Sequence, residues 1–305
     1  MRLQNRMKKL LMGISMVAGI SFAGGSYAQV ASGDCKKSDG TSGLINSVPY
    51  AIALPGTYCL GKTLSITGNT TAITISASNV TVDLNSHSLL GPRANGVPGP
   101  SIANAWGFSF YSASNVIIRN GIISGFEVAA AFANGGTNKS IVFENLKISN
   151  NSSGGIAVII NSRCDDCIVR NNVFSRIDAN LCTNCSNFHV QPIYIAGERS
   201  QIIGNTIIGM KGKPNGFGSV GIYGGHSSLI EGNVIESESA DKLDTGIQAT
   251  FGVGLPDNQL IINNRMMRMR YGIDFLYSTA PYSGNMTSAT TTPYSAGGTP
   301  YGLNF

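Results

Sequence analysis

The sequence predicts an all-β chain wound into a parallel solenoid, and three observations carry that expectation. A short apolar run followed by asparagine returns at spacings of 25, 27, 33, 28 and 31 residues between Asn120 and Asn264. A second block, a glycine followed by alternating apolar residues, returns out of phase with the first. Beyond residue 30, no segment with a helical apolar period runs longer than about two turns. Strand-like segments repeating at this period, with no helices between them, are the signature of coils stacked on their neighbours.

Residues 1–28 read as a signal peptide. Arg2, Arg6, Lys8 and Lys9 precede the apolar run LLMGISMVAGISFAGG, and Ser26-Tyr27-Ala28 offers a small-x-small cleavage site. That run is shorter than the roughly 20 apolar residues a membrane span needs, and no later segment approaches that length. The expectation is a secreted or periplasmic protein with no membrane span. Taking the leader's four basic residues from the total of 21 leaves 17 against 16 acidic, so a formal charge of +5 falls to about +1. This balance excludes the strong basic field expected of a nucleic-acid partner. Only 12% of residues are charged, while Gly, Asn and Ser abound, as suits strands joined by many turns.

Residues 29–70 are assigned to an N-terminal cap and the first strands. Cys35 and Cys59 flank that cap and are expected to pair, stapling a solenoid end that otherwise exposes an open strand edge. Residues 71–290 are assigned to seven or eight coils. The first motif supplies Asn85, Asn120, Asn145, Asn172, Asn205, Asn233, Asn264 and Asn285. Asparagine suits a tight bend because it tolerates the left-handed region, and its amide can bond the amides above and below. The second motif supplies GFSFY from Gly107, GIAVII from Gly155, GIYG from Gly221, GIQAT from Gly246 and GIDFL from Gly272, with EVAAAF and PIYIA in the two gaps. A β-sandwich with asparagine in its hairpins is the alternative, disfavoured by the regular period and the lack of hairpin dipeptides. Residues 291–305 are assigned to a C-terminal tail, which either folds back over the open end or is a disordered terminus.

The stretch from Cys164 to Cys185 holds two Cys-x-x-Cys pairs, Cys164/Cys167 and Cys182/Cys185. In an exported chain, disulfides pinning a long loop to its own coil are expected. A four-cysteine zinc knot is the alternative. The adjacent Asp165-Asp166 turn is the one place where a calcium ion suggests itself, against the plainer account of a solvated acidic turn.

The segments PGTYCL (55–60), SNVTVDLNSHSLLG (78–91) and NVIIRNGIISG (from 115) resemble the right-handed parallel β-helix proteins of the pectate-lyase-like superfamily, over roughly residues 45–290. That resemblance implies a right-handed, single-stranded β-helix and a polysaccharide partner. It does not imply one activity, because lyases, hydrolases, epimerases, tailspikes and adhesins share the fold. Neither an Asp-Pro-His-Glu epimerase motif nor the aspartate trio of polygalacturonases is present. Asp83 and His87 resemble the family's first structural coil, where turn hydrogen bonds are expected.

With the glycine block as register, the outward ladder is Ser109, Ala129, Ala157, Tyr194, Tyr223, Gln248 and Asp274, and the inward one begins Phe108, Val128, Ile156. Tyr194, Tyr223, Gln248 and Asp274 are the candidate saccharide-binding strip, offering aromatic faces for sugar rings and polar groups for hydroxyls. For β-elimination, a base and a cation that quenches a uronate carboxylate are needed. Tyr223, His226 and Arg270 are the candidates, with Arg268 nearby. Asp244 and Arg270 are expected to stack one coil apart as an ion pair. A glycosidase needs two carboxyls roughly 5–9.5 Å apart, and Asp244 and Asp274 fall farther apart than that. The expectation is a protein that binds an acidic polysaccharide, as a monomer or a homo-oligomer, with β-elimination as the reaction open to it if it is an enzyme. The alternative is a non-catalytic adhesin or structural β-helix.

Overall fold

In the computed structural model, residues 31–100, 102–132, 136–158, 162–182, 190–212, 219–238, 244–249, 258–276 and 278–305 are described. The chain is a right-handed parallel β-helix. Apart from two 3-10 turns, Ser32–Asp34 and Ala179–Leu181, the regular elements among the described residues are strands. The expected leader lies outside the described residues. None of the described helices is long and apolar enough to cross a membrane.

One sheet, here sheet I, carries ten strands in simple succession: Tyr50–Ile52, Ile73–Ile75, Trp106–Phe110, Val128–Phe132, Gly154–Val158, Gln191–Glu198, Val220–His226, Thr245–Ala249, Tyr271–Asp274 and Thr292–Tyr294. Every neighbouring pair is parallel, so each strand lies one coil from its equivalent. The tenth strand pairs with the ninth, Ile273 opposite Tyr294. The β-helix therefore continues past the expected boundary at 290, and residues 291–305 complete a coil rather than form a separate tail.

The glycine that opens these strands has a steric cause. At this point two successive residues turn inward. A Cβ on Gly221 would lie 2.7 Å from the Gly246 carbonyl oxygen of the next coil and 2.7 Å from Ile235 Cγ2 in the core. The same column places Ala129 beside Gly107 and Gly155, which corrects the expected register of one coil. Ala130, not Val128, pairs with Phe108 and Ile156, and Ala131, not Ala129, stands between Ser109 and Ala157 on the outside. The two-residue error arose because this coil has no glycine to mark its phase.

The remaining strands form sheet II, whose two faces meet at a tight corner, as in Gln201–Ile203 followed by Thr206–Met210. The corner is a left-handed residue followed by a buried asparagine. Asn172, Asn205, Asn233, Asn264 and Asn285 form one column. Each side-chain amide donates to the Oδ1 of the next, at 2.9–3.0 Å between Asn172 and Asn285. The same Oδ1 also accepts the backbone N–H of the asparagine one coil earlier. The second amide hydrogen reaches a carbonyl of the preceding coil, as from Asn205 to Val169 at 2.8 Å. Each fully buried amide is thus satisfied, which is the condition for burying one at all.

Asn120 and Asn145 stand one residue out of this column. Both take the left-handed conformation (φ 60° and 56°), the place held by Asn171, Gly204, Gly232, Asn263 and Gly284 in later coils. Leu146 occupies the ladder position there, and its N–H donates to Asn172 Oδ1. Asn85 lies in the turn after Asp83, also outside the ladder. The sequence motif merged two adjacent corner positions that both favour asparagine for different reasons.

Inside, a stack of isoleucines and phenylalanines fills the bore, with Phe108, Phe110, Phe132 and Phe143 in ring contact. At the N-terminal end Cys35 and Cys59 are joined as expected. Cys164 is bonded to Cys167, three residues away, and both are buried. That bridge closes its own turn, so it does not pin the long loop to the coil, and it leaves no thiolates there for zinc. Cys182 is disulfide-bonded as well, and Cys185 lies outside the described residues.

Candidate functional site

Two positions of each sheet I strand matter for the outer face. The residue before the glycine column points out: Trp106, Val128, Gln191, Val220, Thr245 and Tyr271. Three residues later comes a second outward column: Ser109, Ala131, Ala157, Tyr194, Tyr223, Gln248 and Asp274. The strip expected from the sequence is therefore one column of consecutive coils, about 4.8 Å per step.

Tyr194 and Tyr223 meet edge to face, with ring centroids 4.5 Å apart and planes at 70°. Both are half-buried, and burial pushes the Tyr194 phenol above its ordinary range, with Tyr223 adding to the shift. Gln248 is half-buried in the next coil. Asp274 follows, and its Oδ1 accepts a hydrogen bond from Ser295 Oγ at 2.9 Å. Toward the N-terminus, Val128, Ala131 and Ala157 form a small apolar cluster on this same outer side, against which Trp106 and Tyr194 pack.

The residues expected to carry elimination are not gathered. His226 lies at the far end of the Tyr223 strand, opposite Glu198 of the neighbouring coil, with Nδ1 buried and unpartnered among the described residues. Arg270 is exposed at the start of its strand, two coils away, with its guanidinium 4.9 Å over the Tyr271 ring. By coil and strand spacing, the Arg270 backbone lies about 16 Å from Tyr223 and about 25 Å from His226. The expected Asp244–Arg270 ion pair is absent among the described residues. The two do stack, through the Arg270 N–H and the Asp244 carbonyl at 2.8 Å. The Asp244 carboxylate is buried, however, and accepts from Ser219 N and Ser237 Oγ. An aspartate bonded to two serines inside a corner is a structural clamp.

Asp165 and Asp166 are also engaged. Asp165 Oδ1 accepts from Glu198 N and Arg163, while Asp166 is paired with Arg199 and holds its carboxyl below the usual range through that contact. Both faces of the proposed calcium turn thus already have protein partners. Asp83 behaves as expected of a structural coil: buried, it binds Arg119, Asn120 and the Asn85 N–H. No group of three or more His, Cys, Asp or Glu arranged for a metal occurs among the described residues.

A second cluster escaped the sequence reasoning. Glu127 Oε2 accepts from Asn104 N at 2.7 Å and from Trp106 Nε1 at 3.2 Å. Burial pushes its carboxyl above the ordinary range, against those bonds and the nearby Arg93. Arg93 is only 4% exposed; its Nη2 donates to the Gly99 carbonyl at 2.9 Å, and its Nη1 is buried without a partner among the described residues. The available signal was the chain's one tryptophan, at the outward position of a strand whose coil partner follows a glutamate.

No protein-family model matches the chain, and no curated protein sequence does. Among solved structures, the chain is similar to an alginate lyase from Paenibacillus sp. str. FPU-7, with a TM-score of 0.54 and 14% identity, covering 80% of this chain and 87% of that one. It is also matched to the catalytic domain of a GH87 alpha-1,3-glucanase in complex with nigerose, with a TM-score of 0.43 and 12% identity, covering 84% of this chain and 61% of that one. A mannuronan C-5 epimerase A-module from Azotobacter vinelandii gives a TM-score of 0.36 and 11% identity, covering 84% and 90%. At 14% identity, the likeness to the alginate lyase shows the fold alone.

Proposed function

We propose that this is an exported protein that binds a polysaccharide along the outer face of sheet I. The observation that carries the reading is the Tyr194–Tyr223 pair, two half-exposed rings on adjacent coils in one column with Gln248 and Asp274. The column step of about 4.8 Å is close to the length of one sugar residue, so successive coils can address successive sugars. Aromatic rings supply the apolar contact, and the amide and carboxylate supply hydrogen-bond partners for hydroxyls. The alginate lyase sharing this fold acts on a polysaccharide, which agrees with the reading.

Binding without cleavage fits this geometry better than β-elimination. Tyr223 lies on the strip, but by coil and strand spacing the Arg270 backbone stands about 16 Å from it and about 25 Å from His226, so the three candidates do not converge on one sugar. The test is a panel of uronate and neutral polymers incubated with the purified protein. Retention on one or more polymers, lost in Tyr223→Ala, supports the reading. A rise in ultraviolet absorbance from unsaturated uronate ends would show elimination and overturn the non-catalytic form. No retention on any polymer would overturn the binding reading itself.

A further inference from the structure

We infer that Asp274 makes the sheet I strip selective for a neutral glycan, against the acidic polymer expected from the sequence. The inference rests on the reading of the strip as a glycan-binding column and names the charge class of its ligand.

The Asp274 carboxylate is half-buried at the C-terminal end of the column, one coil beyond Gln248 and two beyond Tyr223. Ser295, on the next coil, holds it in place. Ser295 Oγ accepts the Phe275 N–H at 2.7 Å and gives its own proton to Asp274 Oδ1 at 2.9 Å. The other oxygen, Oδ2, has no partner among the described residues. The ion pairs among those residues all lie elsewhere. The adjoining sequence supplies no counter-charge either. From Phe275 to Phe305 there is no Lys, Arg or His, and from Thr245 to Asn264 there is none. Arg270, just before the same strand, is four positions away, about 13 Å by strand spacing, and its guanidinium lies over Tyr271.

A polymer lying along the column meets this charge. With one sugar per coil, about 4.8 Å per step, the sugar two steps beyond Tyr223 stands over Asp274. A hydroxyl there can donate to Oδ2, because a carboxylate only accepts. A uronate brings a second carboxylate, which sets an acceptor and a like charge against Asp274. At about 5 Å that repulsion weakens binding about fourfold in fully hydrated surroundings, and more where the ligand displaces water. Gln248, the neighbour on the strip, bonds hydroxyls as donor and acceptor but carries no charge to offset the repulsion.

The test uses pairs of oligosaccharides of equal length that differ in charge. They are an oligogalacturonate and its methyl ester, an oligoglucuronate and a cello-oligosaccharide, and an oligomannuronate and a manno-oligosaccharide. Each is titrated calorimetrically into the purified protein. In whichever pair binds, the neutral member should bind at least about fourfold tighter. Asp274→Asn, which keeps an acceptor for Ser295, should bring the two members within about twofold of each other. In the wild type the preference should also shrink as salt rises from about 0.02 M to about 0.5 M, through screening. That salt series needs no variant and decides the matter if Asp274→Asn fails to fold. An acidic member that binds as tightly as its neutral partner, with or without added calcium, overturns the inference. So does a preference that neither salt nor Asp274→Asn alters. The outcomes separate the two readings. If both members of a pair bind equally and Tyr194→Ala/Tyr223→Ala abolishes both, the strip stands and the selectivity fails. If no member of any pair binds, the strip fails and the inference with it.

Discussion

Tyr194 and Tyr223 lie directly opposite each other on neighbouring coils, their rings edge to face at 4.5 Å. Each therefore orders the other before any ligand arrives. Edge-to-face pairs contribute about 0.5–1.5 kcal/mol beyond burial. Tyr223→Ala should lower stability by that amount together with the lost burial of the half-buried ring, about 1–3 kcal/mol in all, a shift of a few degrees in melting temperature, while Tyr194→Phe should be nearly neutral. A loss of more than about 3 kcal/mol on Tyr223→Ala, measured by urea unfolding, would show that the ring is core rather than surface.

The asparagine ladder makes a sharper forecast. Asn233 accepts from both the backbone and side-chain N–H groups of Asn205. Asn233→Ala leaves both donors buried without an acceptor and should cost about 2–4 kcal/mol. Asn145, one position out of the ladder, serves only its left-handed φ of 56°. Asn145→Gly should therefore be close to neutral, and Asn145→Val should cost about 1–2 kcal/mol. Equal effects at Asn145 and Asn233 would contradict the two roles.

The bridges should differ in weight. Cys35–Cys59 closes a loop of 24 residues and Cys164–Cys167 one of three. On chain-entropy grounds, removing the first as a Ser pair should cost about 3.5 kcal/mol and removing the second about 2 kcal/mol. The comparison is by thermal melting of the two double variants, and the reverse order would count against the entropic account.

Glu127 sets a pH dependence whose sign can be worked out. Burial raises its carboxyl above the unfolded value, so between the two values the folded protein holds the extra proton. Its contribution to stability is most favourable below the unfolded value and is lost as pH rises through the raised folded one. Glu127→Gln keeps an acceptor for Asn104 and Trp106 but removes the titration. Its melting temperature should fall less than the wild type's across the weakly acidic range. Parallel curves for the two proteins would exclude Glu127 as the source.

Much of this was legible in the sequence, and the failures are instructive. The parallel coil and the order Tyr194, Tyr223, Gln248, Asp274 followed from glycine phase, because that glycine sits where a Cβ at Gly221 would strike the next coil. The Val128–Phe132 coil lacks the glycine, and its register was misplaced by two residues. The corner asparagines misled by one residue, since left-handed and ladder positions are adjacent and both admit asparagine. Asp244 was paired with Arg270 because the two stack. Which way a carboxylate turns at a corner depends on Ser219 and Ser237, 25 and 7 residues away. The Asn104–Glu127–Trp106 cluster joins a long connection to a strand of the next coil, a contact that no repeat period encodes.

The central claim is that the outer face of sheet I binds a polysaccharide through its tyrosine column. The most direct measurement is calorimetric titration of the wild type and of the Tyr194→Ala/Tyr223→Ala double variant with the polymer that the wild type retains. The account predicts at least a tenfold loss of affinity in a variant that remains folded, as each aromatic contact is worth about 1 kcal/mol or more. Unchanged affinity in a folded double variant would contradict it.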